Sequence, residues 1–122
     1  MFRGNNEYKT DLRESMRGGN GTVKIEHLWT PGSELRSATR LCARLTLAPG
    51  NSIGFHEHGL EEEVFYIVSG TAKADDNGRE IILHAGDSLL TGGGAGHAVA
   101  NCGNDDLIMI AFIGSFPDKE NK

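Results

Sequence analysis

The sequence predicts a single all-β domain, folded as a closed or nearly closed antiparallel barrel. From Thr22 onward, short apolar runs alternate with turn residues at the spacing typical of sandwiches and barrels. Seventeen glycines against three prolines, spread along the chain without a period, indicate many tight turns. No stretch longer than about two turns shows the 3.6-residue period of a helix. A chain of 122 residues is long enough to form one domain with its own core.

The first part of the chain is predicted to hold an extension and then two strands. Residues 1 to 21 show little periodicity and end in a flexible glycine-rich run, so we expect an N-terminal extension. Any helix is expected to be a short piece, either there or between Ser33 and Ser37. Residues 23 to 29 alternate as a strand does. The next strand covers residues 40 to 47, with one apolar face formed by Leu41, Ala43, Leu45 and Leu47.

The remaining strands are predicted in the second part of the chain. Val64 to Val68 is a continuous apolar run, which favours a strand buried on both faces. The pair Asn77-Gly78 predicts a hairpin turn, because both residues tolerate positive φ. Further strands are predicted at residues 71 to 74, 80 to 83, 88 to 90, 98 to 100 and 107 to 113. The barrel would then span residues 22 to 116, followed by a polar C-terminal tail, residues 117 to 122, that we expect to fray.

Charge and composition argue against several classes of function. The net charge is −5, and no block of basic residues accompanies a row of aromatic side chains, so a nucleic-acid partner is not expected. The first nineteen residues are polar and charged, so we expect neither a secretory signal peptide nor a membrane span, and we expect a cytoplasmic protein. Cys42 and Cys102 belong to no CxxC pair, and in a reducing compartment both are expected to be buried or half-buried free thiols.

Three histidines and one glutamate have the spacing of a metal site. His56 and His58 are two residues apart, so in an extended chain both rings point to the same face. Glu63 heads the inward face of an apolar strand, where an unpaired carboxylate would be costly, and His97 begins another apolar strand. Three imidazoles and one carboxylate suit a divalent transition metal such as manganese, iron, nickel or zinc better than magnesium or calcium.

The segments that carry these four residues resemble the two sequence motifs of the cupin family. Residues 50 to 70 match the first motif, G-x5-H-x-H-x3/4-E-x6-G, at every fixed position. Residues 86 to 101 resemble the second motif, G-x5-P-x-G-x2-H-x3-N, with Gly92 in place of the usual proline. The resemblance implies the cupin jelly-roll barrel, or double-stranded β-helix. It also implies one metal ion held by His56, His58, Glu63 and His97.

Three consecutive glutamates make the choice of the carboxylate ligand less direct. The spacer that follows His58 in the first motif admits either Glu62 or Glu63. The six-residue gap to Gly70 selects Glu63, and strand alternation places Glu62 on the opposite face. Glu61 and Glu62 are therefore expected at the rim of the barrel or in solvent.

The resemblance extends to small single-domain bacterial cupins that are described as oxalate-decarboxylase-like. It implies a small carboxylate-type ligand bound at the metal, with manganese slightly favoured among manganese, iron, nickel and zinc. Because one fold supports many reactions, two alternatives stay open: a non-enzymatic metal- or sugar-binding or sensor cupin, and an iron-dependent dioxygenase. Whether the protein is an enzyme is left open; if it is one, the resemblance implies a metal-dependent decarboxylase or oxidoreductase, and no catalytic residue is assigned.

Three further expectations concern residues outside the four ligands. Arg40 and Arg44 would bind a ligand carboxylate if their strand face turned inward, and would otherwise face solvent. His27 and His84 lack the pattern of a ligand set and are interpreted as ordinary histidines. A homodimer is expected, because the apolar face of residues 23 to 29 would lie outside a filled barrel, with Leu28 and Trp29 as interface anchors.

Overall fold

The computed structural model describes residues 1–117, so all of the expected C-terminal tail except Pro117 lies outside the described residues. Within that range ten strands form two antiparallel sheets, which confirms the all-β prediction. The strands are β1 (Lys9–Glu14), β2 (Thr22–His27), β3 (Thr39–Leu47), β4 (Ser52–Glu57), β5 (Glu61–Ser69), β6 (Thr71–Asp76), β7 (Arg79–His84), β8 (Ser88–Gly92), β9 (Gly96–Asn101) and β10 (Leu107–Ser115). The described residues include no helix long and apolar enough to cross a membrane.

The two sheets have six and four strands and share one hydrophobic core. The six-stranded sheet has the order β1-β2-β3-β10-β5-β8, and the four-stranded sheet has the order β4-β9-β6-β7. In the strands that form the core, alternate residues point inward, as Ala43, Leu45 and Leu47 do on β3, so the predicted apolar face is buried. Each fully buried aliphatic side chain of this kind contributes about 1.5–3 kcal/mol relative to exposure.

The N-terminal extension is in part a strand of the barrel wall. β1 pairs antiparallel with β2 over its whole length and so forms one edge of the six-stranded sheet. A short 3-10 turn, Met16–Gly18, follows β1 and agrees with the expectation of a short helical piece near the N-terminus. The segment from Ser33 to Ser37 contains no helix and is part of an irregular turn closed by a Pro31–Leu35 bridge.

The prediction that the Val64 to Val68 run is buried on both faces is wrong. Phe65 and Ile67 are buried in the core, whereas Tyr66 and Val68 are 47% and 46% exposed. The reason is the architecture: an antiparallel sheet packs one face on the core and presents the other to solvent. The hairpin prediction is confirmed, since Asn77 and Gly78 adopt φ of 50° and 97° between the paired strands β6 and β7.

The apolar face of β2 lies inside the barrel and not outside it. Val23 and Ile25 are buried members of the core. Leu28 and Trp29 follow the end of β2 and are half-buried, and the Arg3 guanidinium lies 4.4 Å from the centre of the Trp29 ring. The argument that this strand needs a partner chain is therefore wrong, although the homodimer itself is a separate question.

The two cysteines are free, and the expectation of buried or half-buried thiols is confirmed for Cys42 and wrong for Cys102. Cys42 is half-buried on β3, and its burial raises the pKa of its thiol. Cys102 is exposed just after β9 and contacts the Thr71 carbonyl at 3.6 Å.

Candidate metal centre

Both sheets contribute to a cluster of three histidines and one glutamate. His56 and His97 come from β4 and β9, where they are directly paired, and Glu63 comes from β5 of the opposite sheet. His58 lies just beyond the end of β4. His58, Glu63 and His97 are buried and His56 is half-buried, and one ligand atom from each lies within 4.8 Å of the others. The structure therefore brings together all four residues singled out from the sequence.

The spacing of the four ligand atoms fits a metal ion. The Nε2 atom of His97 lies 3.2 Å from that of His58 and 3.3 Å from that of His56. Glu63 Oε1 lies 3.0 Å from His58 Nε2 and 3.1 Å from His97 Nε2. Two ligands bound at right angles with bonds of about 2.1 Å would lie roughly 3.0 Å apart. The cluster thus has the separations of neighbouring ligands around one ion.

The outer nitrogen of each ring has its own hydrogen-bond partner. His56 Nδ1 donates to the Gly54 carbonyl at 2.8 Å, and His58 Nδ1 donates to the Glu61 carboxylate at 2.6 Å. His97 Nδ1 lies 2.9 Å from the Thr91 hydroxyl. A carbonyl and an ionised carboxylate only accept, so the neutral rings of His56 and His58 carry bare lone pairs on Nε2.

These lone pairs face one another and the Glu63 carboxylate in a buried space. The Thr91 hydroxyl can donate or accept, so His97 is the one ring of the three that could supply a proton to these acceptors, whereas a cation would satisfy all of them at once. Metal-binding histidines have this arrangement, in which one nitrogen is held by an outer partner and the other is free to coordinate. Burial also lowers the pKa of His56, with smaller contributions from His97 and His58, which keeps its ring neutral and able to bind a metal.

Glu61 is not a rim or solvent residue, contrary to the sequence-based expectation. One of its oxygens accepts the His58 hydrogen bond, and its two oxygens receive Arg40 Nε and Nη2 at 2.6 and 2.8 Å. The Arg40 hydrogen bonds, with help from His58, lower the pKa of Glu61 to about 2. The sequence did contain a signal for this position of Glu61. Residues 61 and 63 share a face of β5, so Glu61 lies on the same side of the strand as the ligand Glu63. Glu62 is exposed, as expected.

We expect Glu61→Gln to weaken metal binding by about tenfold or more, because a neutral amide is a poorer partner for the His58 N–H and no longer pairs with Arg40. Glu62→Gln is the matched control, since it makes the same change one residue away on the exposed face. The measurement is a competition titration against a chelating dye. Equal affinities for the two variants would contradict the role given to Glu61.

Three residues of the cluster, His56, His58 and Glu63, line a cavity of about 530 Å³. Much of the wall is apolar, and Phe65 stacks on the His97 ring with 4.7 Å between ring centroids and 13° between ring planes. Three arginines also line it: Arg13, Arg17 and Arg40. The cavity therefore combines a hydrophobic wall with guanidinium groups that suit an anionic ligand.

Arg40 and Arg44 have different surroundings, although strand parity places them on one face. Arg40 lines the cavity, while Arg44 is bound on the outer side by Glu26, with contacts of 2.9 and 2.8 Å. The expectation that Arg44 faces the ligand is therefore wrong. The β3–β10 register shifts where Leu41 pairs with Ile113 and Thr39 with Gly114, so regular alternation is interrupted at Arg40.

The histidines outside the cluster also differ from one another. His84 lies on the surface with its side chain 69% exposed, in agreement with its interpretation as an ordinary histidine. His27, interpreted in the same way, lines the cavity of the metal cluster. Strand alternation contained a signal, because it places His27 on the same face as Val23 and Ile25, which are buried. The link to the cluster was not visible, because the strand that carries His27 lies far from both motifs in the chain.

Comparison with known proteins identifies the family. The family described as "Cupin domain" matches residues 43–113, which is more than half of the chain. The chain belongs to the cupin family. The match covers both motifs and all four clustered residues, so the resemblance seen in the sequence is confirmed.

Both a curated protein and a solved structure from Thermotoga maritima are similar to this cupin. A protein named "Oxalate-binding protein" is 40% identical over 99 residues, which is 81% of each chain. A crystal structure described as a predicted oxalate decarboxylase superposes with a TM-score of 0.90 at 36% identity, covering 95% of this chain and 100% of the other. A cupin from Salinispora arenicola, with a TM-score of 0.71 at 22% identity over 94% of this chain and 88% of the other, shows the shared fold alone.

Proposed function

We propose that this cupin holds one divalent transition metal ion through His56, His58, Glu63 and His97 and binds a small carboxylate of the oxalate type at that ion. The observation that carries the proposal is the convergence of these four ligand atoms within 4.8 Å. Among manganese, iron, nickel and zinc, we propose manganese as the first metal to test. A mixed set of nitrogen and oxygen ligands accommodates all four ions.

The cavity supports a carboxylate ligand. Four protein ligands leave one or two coordination places on a five- or six-coordinate ion, and a metal supplies a Lewis acid for an anionic oxygen there. The arginines that line the cavity add positive charge beside that place. The relative named an oxalate-binding protein agrees with this chemistry. Binding is the function that these residues support best. The four clustered residues can hold the metal ion, and the arginines of the cavity wall can attract the carboxylate.

The metal-loaded protein is expected to bind oxalate, and the metal-free protein is expected not to. At equal metal content, Arg40→Gln should weaken oxalate binding by about tenfold, because it removes a cavity guanidinium whose Nη1 is not used by Glu61 and can pair with a carboxylate. Arg44→Gln is the matched control on the same strand, since Arg44 is held by Glu26 on the outer side. Calorimetric titration after metal analysis of each sample makes the measurement.

The outcomes of this experiment separate the parts of the proposal. Wild-type protein that contains one metal per chain yet takes up no oxalate or malonate would contradict the carboxylate ligand and leave the metal site intact. Protein that cannot be loaded with any of the four metals would contradict the whole proposal. If Arg40→Gln and Arg44→Gln bind oxalate equally well, Arg40 has no part in ligand binding.

We also propose that the chain forms a homodimer through the outer face of the six-stranded sheet. Phe112 is paired with Val64, which is paired with Leu90, so one apolar row crosses three strands to the sheet edge. Phe112 and Leu90 are 43% and 63% exposed, and Tyr66 beside them is 47% exposed. A second copy is the occupant we propose, because a two-fold contact covers the same apolar row on both chains at once.

Sedimentation at micromolar concentration should show twice the 13.1 kDa mass of one chain. The double variant Leu90→Ser and Phe112→Ser should sediment as a monomer, because it places hydroxyls in the centre of the contact. Leu60→Ser, an equally polar change at a side chain that is 79% exposed elsewhere, should leave the mass unchanged. A wild-type protein that shows only the 13.1 kDa species would contradict the homodimer.

A further inference from the structure

His27 is a polar group in the wall of the metal cavity that the four-ligand site does not use. Its ring lies on the inward face of β2, beyond Ile25, and its side chain is only 17% exposed. Nε2 lies 2.7 Å from Asp11 Oδ2 on the neighbouring strand β1. Nδ1 is buried and has no hydrogen-bond partner among the described residues. A buried nitrogen of this kind calls for an explanation, because leaving it unpaired is costly.

The charges around His27 define its chemistry. Its hydrogen bond to Asp11 lowers the pKa of that carboxyl group, so Asp11 is ionised and can only accept. Nε2 therefore carries the proton in the neutral ring, and Nδ1 has a free lone pair. Lys9 on β1 lies opposite His27 in the strand register. The other charged groups of the cavity wall outside the metal cluster are Arg13, Glu14, Arg17 and Arg40.

We propose that His27 is a ligand-binding residue: it takes up one proton at Nδ1 when a carboxylate binds in the cavity and donates that proton as a hydrogen bond to the end of the ligand remote from the metal. Asp11 is a positioning residue that holds Nε2–H and stabilises the resulting imidazolium. The proton comes from the solvent and returns to it when the ligand leaves. This inference rests on the proposed function. One carboxylate of a dicarboxylate would bind the metal, and the other would accept the hydrogen bond from His27.

The geometry supports this division in two ways. Three of the four metal-site residues and His27 line one cavity, so they face the same ligand space. Apolar side chains, among them Leu45 and Phe65, line part of the same cavity, and less polar surroundings strengthen a hydrogen bond between an imidazolium and a carboxylate. His27 would therefore raise the affinity for a dicarboxylate but not for a monocarboxylate, whichever metal is bound.

The test is calorimetry on the manganese-loaded full chain at about pH 7.5, above the ordinary pKa of histidine. Oxalate is titrated in buffers of different ionisation enthalpy, and the dependence of the heat on the buffer gives the number of protons taken up. Wild-type protein should take up close to one proton per oxalate. His27→Gln should take up almost none and bind oxalate at least tenfold more weakly, with unchanged metal content. Acetate, which has one carboxylate, should bind the two proteins equally.

Two further variants separate His27 from general effects. Asp11→Asn keeps the shape of the pair and removes the charge that stabilises the imidazolium, so proton uptake should fall well below one. His84→Gln makes the same substitution at an exposed histidine and should behave as the wild type does. Nitrogen NMR of zinc-loaded wild-type protein gives an independent reading that needs no variant. The His27 Nδ1 signal should be that of an unprotonated nitrogen without oxalate and of a protonated one with it.

The possible failures are distinguishable. Oxalate binding without proton uptake, or with a His27 Nδ1 signal that oxalate does not move, overturns the role of His27 and leaves the proposed function standing. Equal proton uptake by wild-type and His27→Gln proteins would also overturn the role of His27 and leave the proposed function standing. A metal-loaded wild-type protein that binds neither oxalate nor malonate overturns both the proposed function and this inference.

Discussion

Removal of the metal is expected to lower the melting temperature of this cupin by on the order of 10 °C. An ion that binds the folded protein and not the unfolded chain adds about 2.7 kcal/mol at a hundredfold excess over its dissociation constant. The effect should be large here, because the metal-free protein must hold convergent ligand atoms 3.0–3.3 Å apart in a buried cluster. Calorimetric melts with and without chelator, followed by readdition of manganese, make the measurement.

A pair of histidine variants ties this stabilisation to the cluster. His58→Ala removes a buried ligand just beyond the end of β4, so metal content should drop and the chelator effect should vanish. His84→Ala changes an exposed histidine outside the cluster and should leave both unchanged. Stoichiometric metal in the His58→Ala protein, or a wild-type melting temperature that responds to neither chelator nor manganese, iron, nickel or zinc, would contradict the metal site.

The metal-dependent stability should decrease as the pH falls. Three ligands are imidazoles that bind a metal only when neutral, so protons compete with the ion below a pH of roughly 6.5. For His56 the sign follows from burial: its folded-state pKa is lowered, so the unfolded chain takes up a proton at higher pH than the folded chain does. Folding is therefore disfavoured as the pH falls below the unfolded value, and the chelator effect should shrink over the same range.

The part of the site that could be read from the sequence is the part set by local spacing. The i, i+2 relation of His56 and His58 and the position of Glu63 at the head of an inward-facing strand need only the geometry of an extended chain. Their meeting with His97 needs long-range topology, and here the two motifs supplied what spacing cannot. The same holds for the fold, where alternation predicted the buried face of β3 and the Asn77-Gly78 hairpin.

The features that the sequence did not reveal depend on contacts between distant segments. Periodicity gave no reason to attach β1 to the barrel, because its residues are largely polar and it is held by backbone pairing with β2. His27 reaches the cavity only because β2 lies in the sheet beside β3. The Val64 to Val68 run shows a different limit of sequence analysis. A run of apolar residues does not indicate whether another part of the protein covers the outer face of the strand. The positions of Glu61 and Arg40 depend on the bidentate ion pair between them and on the register shift between β3 and β10.

The second large effect is expected at Gly92, where the family pattern has proline. A Cβ atom at this position would lie 2.5 Å from Glu62 Cβ and 2.6 Å from the Glu61 carbonyl oxygen, so β8 and β5 approach too closely here for a side chain. Gly92→Pro must therefore push β5 away, and β5 carries both Glu61 and the ligand Glu63. We expect a loss of about 3 kcal/mol in the free energy of unfolding, at the upper end for overpacking, together with weaker metal binding.

Gly59→Ala provides the control for this substitution. A Cβ atom at Gly59 meets nothing within 4 Å, and the residue lies in the same loop as His58, next to a ligand. It should change the stability by less than about 0.5 kcal/mol and leave metal binding as it is. Urea unfolding of the metal-loaded and chelated proteins makes both measurements. A Gly92→Pro protein as stable as the wild type would show that β5 and β8 can separate at no cost, and the close approach at Gly92 would then have no part in holding Glu61 and Glu63 in place.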